Sequence, residues 1–533
     1  MVRFTRFPIV VLTFVGIVIL AILTDPALAE DWKFRVKPRG TIKIVDLKQP
    51  SVDVMRNYAE GLVSVDKDNN YIPCLAEDWR WTDDRTIEFK LRENVRFHNG
   101  EKFNAEAVRI NWEAYREMEN PRVVSFTNLP DETIFEVINE YIVRFTLPKP
   151  DGLAMIKFGW FYQVAPAFFK KHRVPEKNWL YFPEAGPWGT GPFKLVEGGV
   201  PYSKPTGRLV LEAFEHYWDR DYPKIQRMIF ENTLIGKREE AMRHCREKEG
   251  EVDVVSFIRP LDTLKISESP FSKVVKSKDV NILMANLNQR KKNSKWRDIR
   301  LRRAVNYAIN RAELWNYAAK GNAWNPKGFL LPPGAFGHNP DIVPYEYNTE
   351  KARTLLAEGG YPDGFQLEII TTEALKLEAQ IVGKMLERIG LQVKLDVFSS
   401  PNFYRRWYIP LLEKPPEEQD WDLALLSFYD IYAHTGAGLL TFGFTEESDI
   451  RWIEYDSVYE KMWEDMSRTV DREEQEKKIQ ELEKYAYDRA YALFIYSPIT
   501  LYAVNKEVDF VPQKDGWLRL KETSVTDRHW SVR

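Results

Sequence analysis

The sequence predicts an α/β protein with more than one domain, because helical and extended patterns alternate along the whole chain. Residues 87–91 alternate apolar and polar side chains, as a half-buried strand requires, and Asn104 is placed to cap the amphipathic helix that follows. Residues 376–397 read as helix, turn and strand. Such alternation is typical of α/β folds. A chain of 533 residues exceeds what one hydrophobic core holds, so two or three domains are expected.

The remaining elements follow from local signals along the chain. A first strand is predicted at 40–45, and a hairpin at 133–147 turns at Asn139-Glu140. Gly250 is a good helix stop, and the valines after it begin a strand. Asp471, with Glu474 three residues on, is a capping-box-like start to the last long helix. A strand at 492–496 then leads into the C-terminal part.

The composition excludes several classes of function. Lys and Arg number 76 against 79 Asp and Glu, which is not the basic balance of a nucleic-acid-binding protein. The chain has no Walker-type loop, no dinucleotide glycine motif, no G-x-S-x-G and no H-E-x-x-H. Its seven His residues are scattered, so no structural zinc site is expected. The 17 Trp, 25 Tyr and 30 Phe indicate a large core, a ligand cleft with flat apolar walls, or both.

The N-terminus has the pattern of an export signal. Two arginines within residues 3–6 precede an apolar run at 7–23, which Asp25-Pro26 breaks. Residues 27–29, Ala-Leu-Ala, form a small-x-small cleavage site, so residues 1–29 are predicted to be removed after Ala29. No Cys stands at that site, so a lipid anchor is not expected. An uncleaved membrane anchor is the alternative, because the apolar run is about as long as a short spanning helix.

Cys74 and Cys245 are the two cysteines of the chain. In an oxidising compartment an even pair permits one disulfide. Sequence gives no distance between them, so two buried free thiols remain the alternative.

The longest motif covers residues 75–108. It contains Leu-Ala-Glu-x-Trp at 75–79, Phe-x-Leu-Arg at 89–92, Val-x-Phe-x-x-Gly at 95–100 and Ala-x-x-Val at 105–108. This order and spacing closely resemble the signature of the family 5 extracellular solute-binding proteins, which are oligopeptide, dipeptide and nickel receptors of ABC importers. Because the motif is long and its spacing is fixed, it is specific.

Further segments resemble the same family in the same order. They are Glu-Gly-Leu-Val at 60–63, Gly-Thr-Gly-Pro-Phe at 189–193, Asp-Ile-Arg-Leu-Arg-Arg-Ala at 298–304, Ala-Ile-Asn-Arg at 308–311 and Gly-Tyr-Pro-Asp-Gly-Phe at 360–365. The resemblance covers most of residues 40–505. Arg300 and Arg302 are expected to brace the lobe by pairing with carboxylates, and anion binding is the alternative.

The resemblance implies a two-lobed periplasmic-binding-protein fold, the Venus flytrap, with an extra subdomain in the first lobe. The first lobe is expected to comprise 30–62, 188–282 and 496–533, the extra subdomain 63–187, and the second lobe 283–495. The hinge would be crossed near Asn286 and again near Tyr496. The predicted form is a monomer.

The implied function is that of a periplasmic receptor of an ABC importer, which captures a small solute between closing lobes. A short peptide is the expected solute. The resemblance implies membrane permease and ATPase partners, no cofactor, no metal and no catalysis. The alternatives are a receptor of the same fold for an oligosaccharide or a metal complex and, in another class, a secreted hydrolase.

By resemblance, the ligand should meet the acidic loop that follows a strand of the second lobe. Asp430 is the candidate partner of a peptide amine, because an ionised carboxylate hydrogen-bonds an ammonium well; capping a turn is its alternative. The other expected ligand-binding residues are Tyr429, Tyr432, His434, Phe403, Arg406 and Trp407.

Two of these candidates carry open alternatives, and two segments depart from the family pattern. Arg406 could hold a ligand carboxylate or be solvated surface charge. His434 could ligate a metal complex, although one His without a partner makes a weak site. Residues 46–59 lack the longer Leu-Asp-Pro stretch of relatives, and the loop at Asp430 lacks their D-x-x-D-P. The cleft is therefore expected to be built differently from that of relatives.

Overall fold

The computed structural model describes residues 34–47, 50–66, 70–117, 129–172, 184–199, 207–415, 418–429, 436–446, 448 and 450–533. The predicted signal segment, 1–29, lies outside these residues. Within the described part of the chain, no helix combines the length and the apolar character that crossing a membrane requires.

The strands, in chain order, are β1 (Thr41–Val45), β2 (Val63–Val65), β3 (Tyr71–Pro73), β4 (Ala76–Trp81), β5 (Thr86–Leu91), β6 (Ile134–Asn139), β7 (Ile142–Thr146), β8 (Phe193–Glu197), β9 (Arg208–Ala213), β10 (Arg227–Glu231), β11 (Val254–Val255), β12 (Ser272–Ser277), β13 (Asn281–Leu287), β14 (Ala323–Asn325), β15 (Gln366–Thr372), β16 (Gln392–Phe398), β17 (Leu423–Tyr429), β18 (Ala492–Pro498), β19 (Thr500–Asn505), β20 (Val508–Asp509) and β21 (Ser524–Val525).

The α-helices, in chain order, are α1 (Pro50–Tyr58), α2 (Ala105–Arg116), α3 (Ala154–Trp160), α4 (Pro166–Lys171), α5 (Arg238–Glu247), α6 (Thr263–Ser267), α7 (Ile299–Tyr307), α8 (Arg311–Tyr317), α9 (Thr349–Glu358), α10 (Lys376–Glu387), α11 (Ser400–Glu413), α12 (Ala437–Thr441), α13 (Ser457–Arg468) and α14 (Arg472–Asp488).

The first lobe is built on a seven-stranded sheet in the order β12-β19-β11-β1-β10-β9-β8. Strand β1 pairs in parallel with β10 and β11, and the outer strands add antiparallel. Apolar cores pack on both of its faces. Burial on both faces fits the consecutive buried apolar residues at 228–230 in β10 and at 254–255 in β11.

The second lobe is built on a six-stranded sheet in the order β14-β18-β13-β17-β15-β16. Strand β13 lies antiparallel to both β17 and β18, while β15 runs parallel to β16 and β17. Two further cores cover its faces.

The chain crosses between the two sheets twice, and the two crossings lie side by side. Strand β12 ends at Ser277 in the first sheet and β13 begins at Asn281 in the second; β18 ends at Pro498 and β19 begins at Thr500. Ser277 pairs with Thr500 in one sheet, and Leu283 pairs with Tyr496 in the other. The passages therefore lie at 278–280 and at 499, where the sequence analysis expected them near Asn286 and Tyr496.

The region predicted as an extra subdomain contains a four-stranded antiparallel sheet, β4-β5-β7-β6, with its own core. Helix α2 packs on it, and the Asn104 side chain accepts from the backbone N–H of Ala107, which confirms the predicted cap. The predicted hairpin is confirmed as β6 and β7. Helix α3 lies at the junction, because Phe158 joins this core while Ile156 joins that of the second lobe.

The Gly-Thr-Gly-Pro-Phe segment fixes the end of α1 against the start of β8. The N–H of Gly191 donates to the carbonyl of Tyr58 at 2.9 Å. A Cβ on Gly189 would stand 2.0 Å from that same carbonyl oxygen. A side chain would prevent this approach, so glycine is needed here for close packing of backbone on backbone.

Two expectations about single residues are resolved. Cys74 and Cys245 are both free and buried, so no disulfide joins them. Arg302 does brace the second lobe, but the expected carboxylate partners are wrong. It donates to the carbonyls of residues 296, 297, 489 and 490. Arg300 pairs with Asp298 at the surface.

Candidate functional site

The strand that precedes the predicted ligand loop ends at the hinge end of the second lobe. Strand β17 runs to Tyr429, whose Cα pairs with Asn281 at the start of β13. Strand β17 therefore ends beside the crossing. Asp430, Tyr432 and His434 lie outside the described residues, so their predicted ligand contacts stay predictions.

Phe403 and Trp407 lie on α11, which follows the neighbouring strand β16. Their rings stack with centroids 5.9 Å apart, and Trp407 meets Phe428 edge-on at 6.2 Å. Both side chains belong to the core of the second lobe. Both side chains are buried against the sheet of the second lobe and expose little surface to a solute.

Arg406 is engaged in ion pairs within the second lobe. Its guanidinium donates to Glu368 at 2.9 Å and also pairs with Asp420. Glu368 lies near the start of β15, whereas the hinge end of that strand is Thr372. The Arg406 side chain is thus directed away from the hinge, which favours the surface-charge alternative.

The structure contains a partly open cavity of about 150 Å³ on the other side of the hinge, at the seam between the first lobe and its subdomain. Its wall comes from α1 and the segment after it, from the hairpin β2–β3, from α3 and from residues 513–522. Such a volume holds several water molecules or one small organic molecule.

The cavity wall is tied to the hinge and to both lobes. Gln513 lines it, and the Gln513 carbonyl accepts from the Ser277 hydroxyl at 3.3 Å, at the end of β12. Trp160 packs against the cores of both lobes. From the second lobe, the Arg472 guanidinium lies 5.4 Å from the ring of Tyr71, another wall residue. The cavity wall therefore adjoins both the crossing between the sheets and the second lobe.

Three cationic side chains line this cavity: Arg56, Arg519 and Lys521. Arg56 lies between two indole rings, 4.7 Å from Trp160 and 5.0 Å from Trp517, which favours a planar guanidinium. Its one hydrogen bond among the described residues goes to Asp515, at 3.0 Å.

Arg519 shares that carboxylate. It donates to Asp515 at 3.1 Å and to the Val65 carbonyl at 2.5 Å. Burial lowers the pKa of Arg519, although the Asp515 charge opposes the shift. The Nε groups of Arg56 and Arg519 are buried and find no acceptor among the described residues.

The acidic side of the wall is centred on Glu60. Burial raises the pKa of its carboxyl, against the hydrogen bond from Tyr217 and the charge of Lys521. Tyr217 donates to it at 2.7 Å and the Trp218 indole at 3.1 Å. The Cys74 Sγ stands 3.7 Å from the same carboxyl, and burial raises the pKa of that thiol well above its usual range.

Among the segments singled out in the sequence, the Glu-Gly-Leu-Val segment, Cys74 and Pro192 contribute to this wall, but none of them was predicted to line a cavity. Its basic residues 519 and 521 fall in the last 28 residues, which matched no diagnostic pattern. Arg519 and Val65 are 454 positions apart, and no local periodicity connects them. Among the residues that the structure describes, no group of three or more His, Cys, Asp or Glu side chains is arranged to hold a metal ion.

Comparison with known proteins assigns the chain to a family. Residues 70–449 match the model of the bacterial extracellular solute-binding proteins, family 5 Middle. The chain is 26% identical to the Dipeptide-binding protein of Escherichia coli K12 over 365 residues, which are 63% of this chain and 65% of that protein. It is 28% identical over 380 residues to the Nickel-binding periplasmic protein of the same organism, covering 65% of this chain and 67% of that protein. It is 25% identical over 357 residues to Heme-binding protein A of Haemophilus influenzae, covering 62% of this chain and 62% of that protein.

Solved structures share the fold over nearly the whole chain. The periplasmic binding protein DppA of Helicobacter pylori, solved with the peptide STSA, has a TM-score of 0.73 at 19% identity, covering 93% of this chain and 99% of its own. CtaP of Listeria monocytogenes has a TM-score of 0.76 at 18% identity, covering 92% and 100%. The sequence match spans less than two thirds of several curated relatives, as with the 65% and 62% above. The family model nevertheless covers well over half of this chain, which therefore belongs to the family 5 bacterial extracellular solute-binding proteins.

Proposed function

We propose that this protein is the periplasmic receptor of an ABC importer, which closes two lobes around a small solute and delivers it to a membrane permease. The observation that carries the proposal is the pair of adjacent strand crossings between the two sheets, at 278–280 and 499. Two short neighbouring connections leave the lobes one main freedom, rotation about a hinge. A solute that contacts both lobes stabilises the closed form through its higher affinity for that form.

Export and partners belong to the same proposal. The predicted signal at 1–29 would place the mature chain in the periplasm, and one relative is named as periplasmic. A permease and an ATPase of the inner membrane complete the importer, because the chain has no phosphate-binding loop. Family membership favours this receptor over a secreted hydrolase.

A short peptide is the proposed solute class. A relative is named as dipeptide-binding, and a protein of the same fold was solved with a peptide. Asp430 remains the proposed partner of the peptide amine, with Tyr429, Tyr432 and His434 beside it. Support comes from the position of β17, whose last residue pairs with the first residue of β13 at the hinge.

The test begins with mass spectrometry of whatever co-purifies with the native protein, followed by calorimetry and X-ray scattering. A bound solute should reduce the radius of gyration. Asp430→Asn should weaken binding of a peptide by about 2–5 kcal/mol if the charge pair is desolvated. A tight solute that leaves the radius unchanged would contradict hinge closure, and turnover of the solute would contradict a receptor.

A further inference from the structure

The cavity at the seam of the first lobe carries cations whose hydrogen-bonding capacity is not used up. Arg56 and Arg519 share one carboxylate, that of Asp515, and each has a buried Nε without an acceptor among the described residues. A guanidinium has five donor N–H groups in a fixed fork. Both arginines line the cavity together with Lys521, so an anionic acceptor entering it would meet three cationic side chains.

Lys521 adds a charge that the described chain does not neutralise. It is half-buried, lines the cavity and makes no ion pair with a described carboxylate; its Nζ lies 5.1 Å from the ring of Tyr222. The Lys521 charge acts on other residues of the cavity wall. It lowers the pKa values of both Glu60 and Cys74, against the larger effect of burial, which raises them.

The acidic side chains that line the cavity form no described ion pair with Arg56, Arg519 or Lys521. Glu60 already accepts from Tyr217 and Trp218. Asp66 accepts from the backbone and side-chain amides of Asn70. Glu522 also lines the wall without a described ion pair, so a solute that carries several negative charges would meet repulsion there. The wall therefore suits one carboxylate on an otherwise uncharged or zwitterionic molecule.

We infer that Lys521, with Arg56 and Arg519, holds the carboxylate of the solute in this cavity. The inference rests on the proposed receptor function and defines the solute class as a small monocarboxylate or zwitterion. A carboxylate accepts charge-assisted hydrogen bonds from both kinds of cation. The indole of Trp160, which packs on both lobes, would lie beside it and would connect its arrival to lobe closure.

The test uses calorimetry with the dipeptide Ala-Ala and with its C-terminal amide. Wild-type protein should bind the free acid at least about tenfold more tightly than the amide, as expected for the loss of a charge-assisted hydrogen bond. Lys521→Met should remove most of that preference, and Lys521→Arg should restore part of it.

Lys224→Met is the matched control, because the Lys224 Nζ lies 5.7 Å from the same Tyr222 ring but does not line the cavity. Thermal unfolding of each variant verifies that it is folded. Equal affinities for acid and amide, or equal behaviour of Lys521→Met and Lys224→Met, would overturn the inference and leave the receptor standing. Failure of wild-type protein to bind Ala-Ala would also overturn the inference. The receptor function itself would be overturned only if, in addition, no solute co-purified with the protein and none reduced its radius of gyration.

Discussion

The two lobes both contain buried cations, but they satisfy them in different ways. In the second lobe, Arg311 is deeply buried, and its guanidinium donates to the carbonyls of Phe494, Tyr345 and Asn306, at 2.6 Å, 2.7 Å and 3.3 Å for the shortest bond to each. Arg302 likewise donates to four backbone carbonyls. In the first lobe, Arg56, Arg519 and Lys521 face an open volume, and the one carboxylate partner described for them is Asp515.

The difference distinguishes a structural cation from one available to a ligand. Burial lowers the pKa of Arg311, yet every acceptor around it is fixed by the fold, so the charge holds strand β18 to helix α8. The cavity cations line space that a small molecule could fill, and Lys521 makes no ion pair with a described carboxylate there. Burial alone therefore does not identify a site; a cation that lines a cavity without a fixed acceptor is the better indicator.

The largest loss of stability is expected from substitution of Asp515, whose fully buried carboxylate forms ion pairs with two arginines. Asp515→Asn should lower the free energy of unfolding by about 3–5 kcal/mol, because it leaves buried charge without a counter-ion. Urea denaturation measures the loss. Glu184→Gln removes a surface partner of Lys171 and serves as the control. Similar midpoints for the two variants would show that the cavity cations do not depend on Asp515.

A somewhat smaller loss is expected in the second lobe. Arg311→Met leaves buried carbonyls without a donor, which should cost about 3 kcal/mol of unfolding free energy. Arg300→Met is the comparison, since that side chain is exposed and its partner among the described residues is Asp298. Because Arg311 does not line the cavity of the first lobe, ligand affinity measured on the folded variant should stay unchanged. A selective loss of affinity would contradict the assignment of Arg311 as purely structural.

Buried His98 gives a third case, a base that stays neutral. Burial lowers its pKa to about 3, against a hydrogen bond with the Gly191 carbonyl, whereas an unfolded histidine titrates near 6.5. Between these values only the unfolded chain takes up the proton. The His98 contribution to stability is thus complete above pH 6.5 and falls by about 1.4 kcal/mol per pH unit below it.

The measurement compares wild type with His98→Gln by urea denaturation at pH 7.5, 5.5 and 4.5. The stability advantage of wild type should shrink by about 3 kcal/mol between the first and last of these values. Buried carboxyls with raised pKa values, such as Glu60 and Glu483, act in the opposite sense but are present in both proteins. If the stability difference between wild type and His98→Gln does not change with pH, burial does not lower the pKa of His98.

Sequence patterns predicted the local structure better than the cavity. The cap at Asn104, the hairpin of β6 and β7 and the cap at Asp471 depend on neighbours a few residues away, and all three are confirmed. The partners of Arg302 were mispredicted, because the carbonyls at 489 and 490 reach it only after the lobe has folded. Lys521 could not be identified at all, since nothing near it in sequence indicates a cavity.

Substitution of Lys521 is expected to change stability least, in contrast to the large loss expected for Arg311→Met. Lys521 makes no ion pair with a described carboxylate, and its attraction to Glu60 is smaller than the effect of burial on that carboxyl, so Lys521→Met should change the free energy of unfolding by less than about 0.5 kcal/mol. Differential scanning calorimetry without solute, beside Lys224→Met, measures this change. Addition of a bound carboxylate should then raise the melting temperature of Lys224→Met but hardly that of Lys521→Met, because a ligand stabilises only the protein that binds it. A large loss of stability in the solute-free Lys521→Met protein would instead place Lys521 with Arg311, as a cation that the fold itself requires.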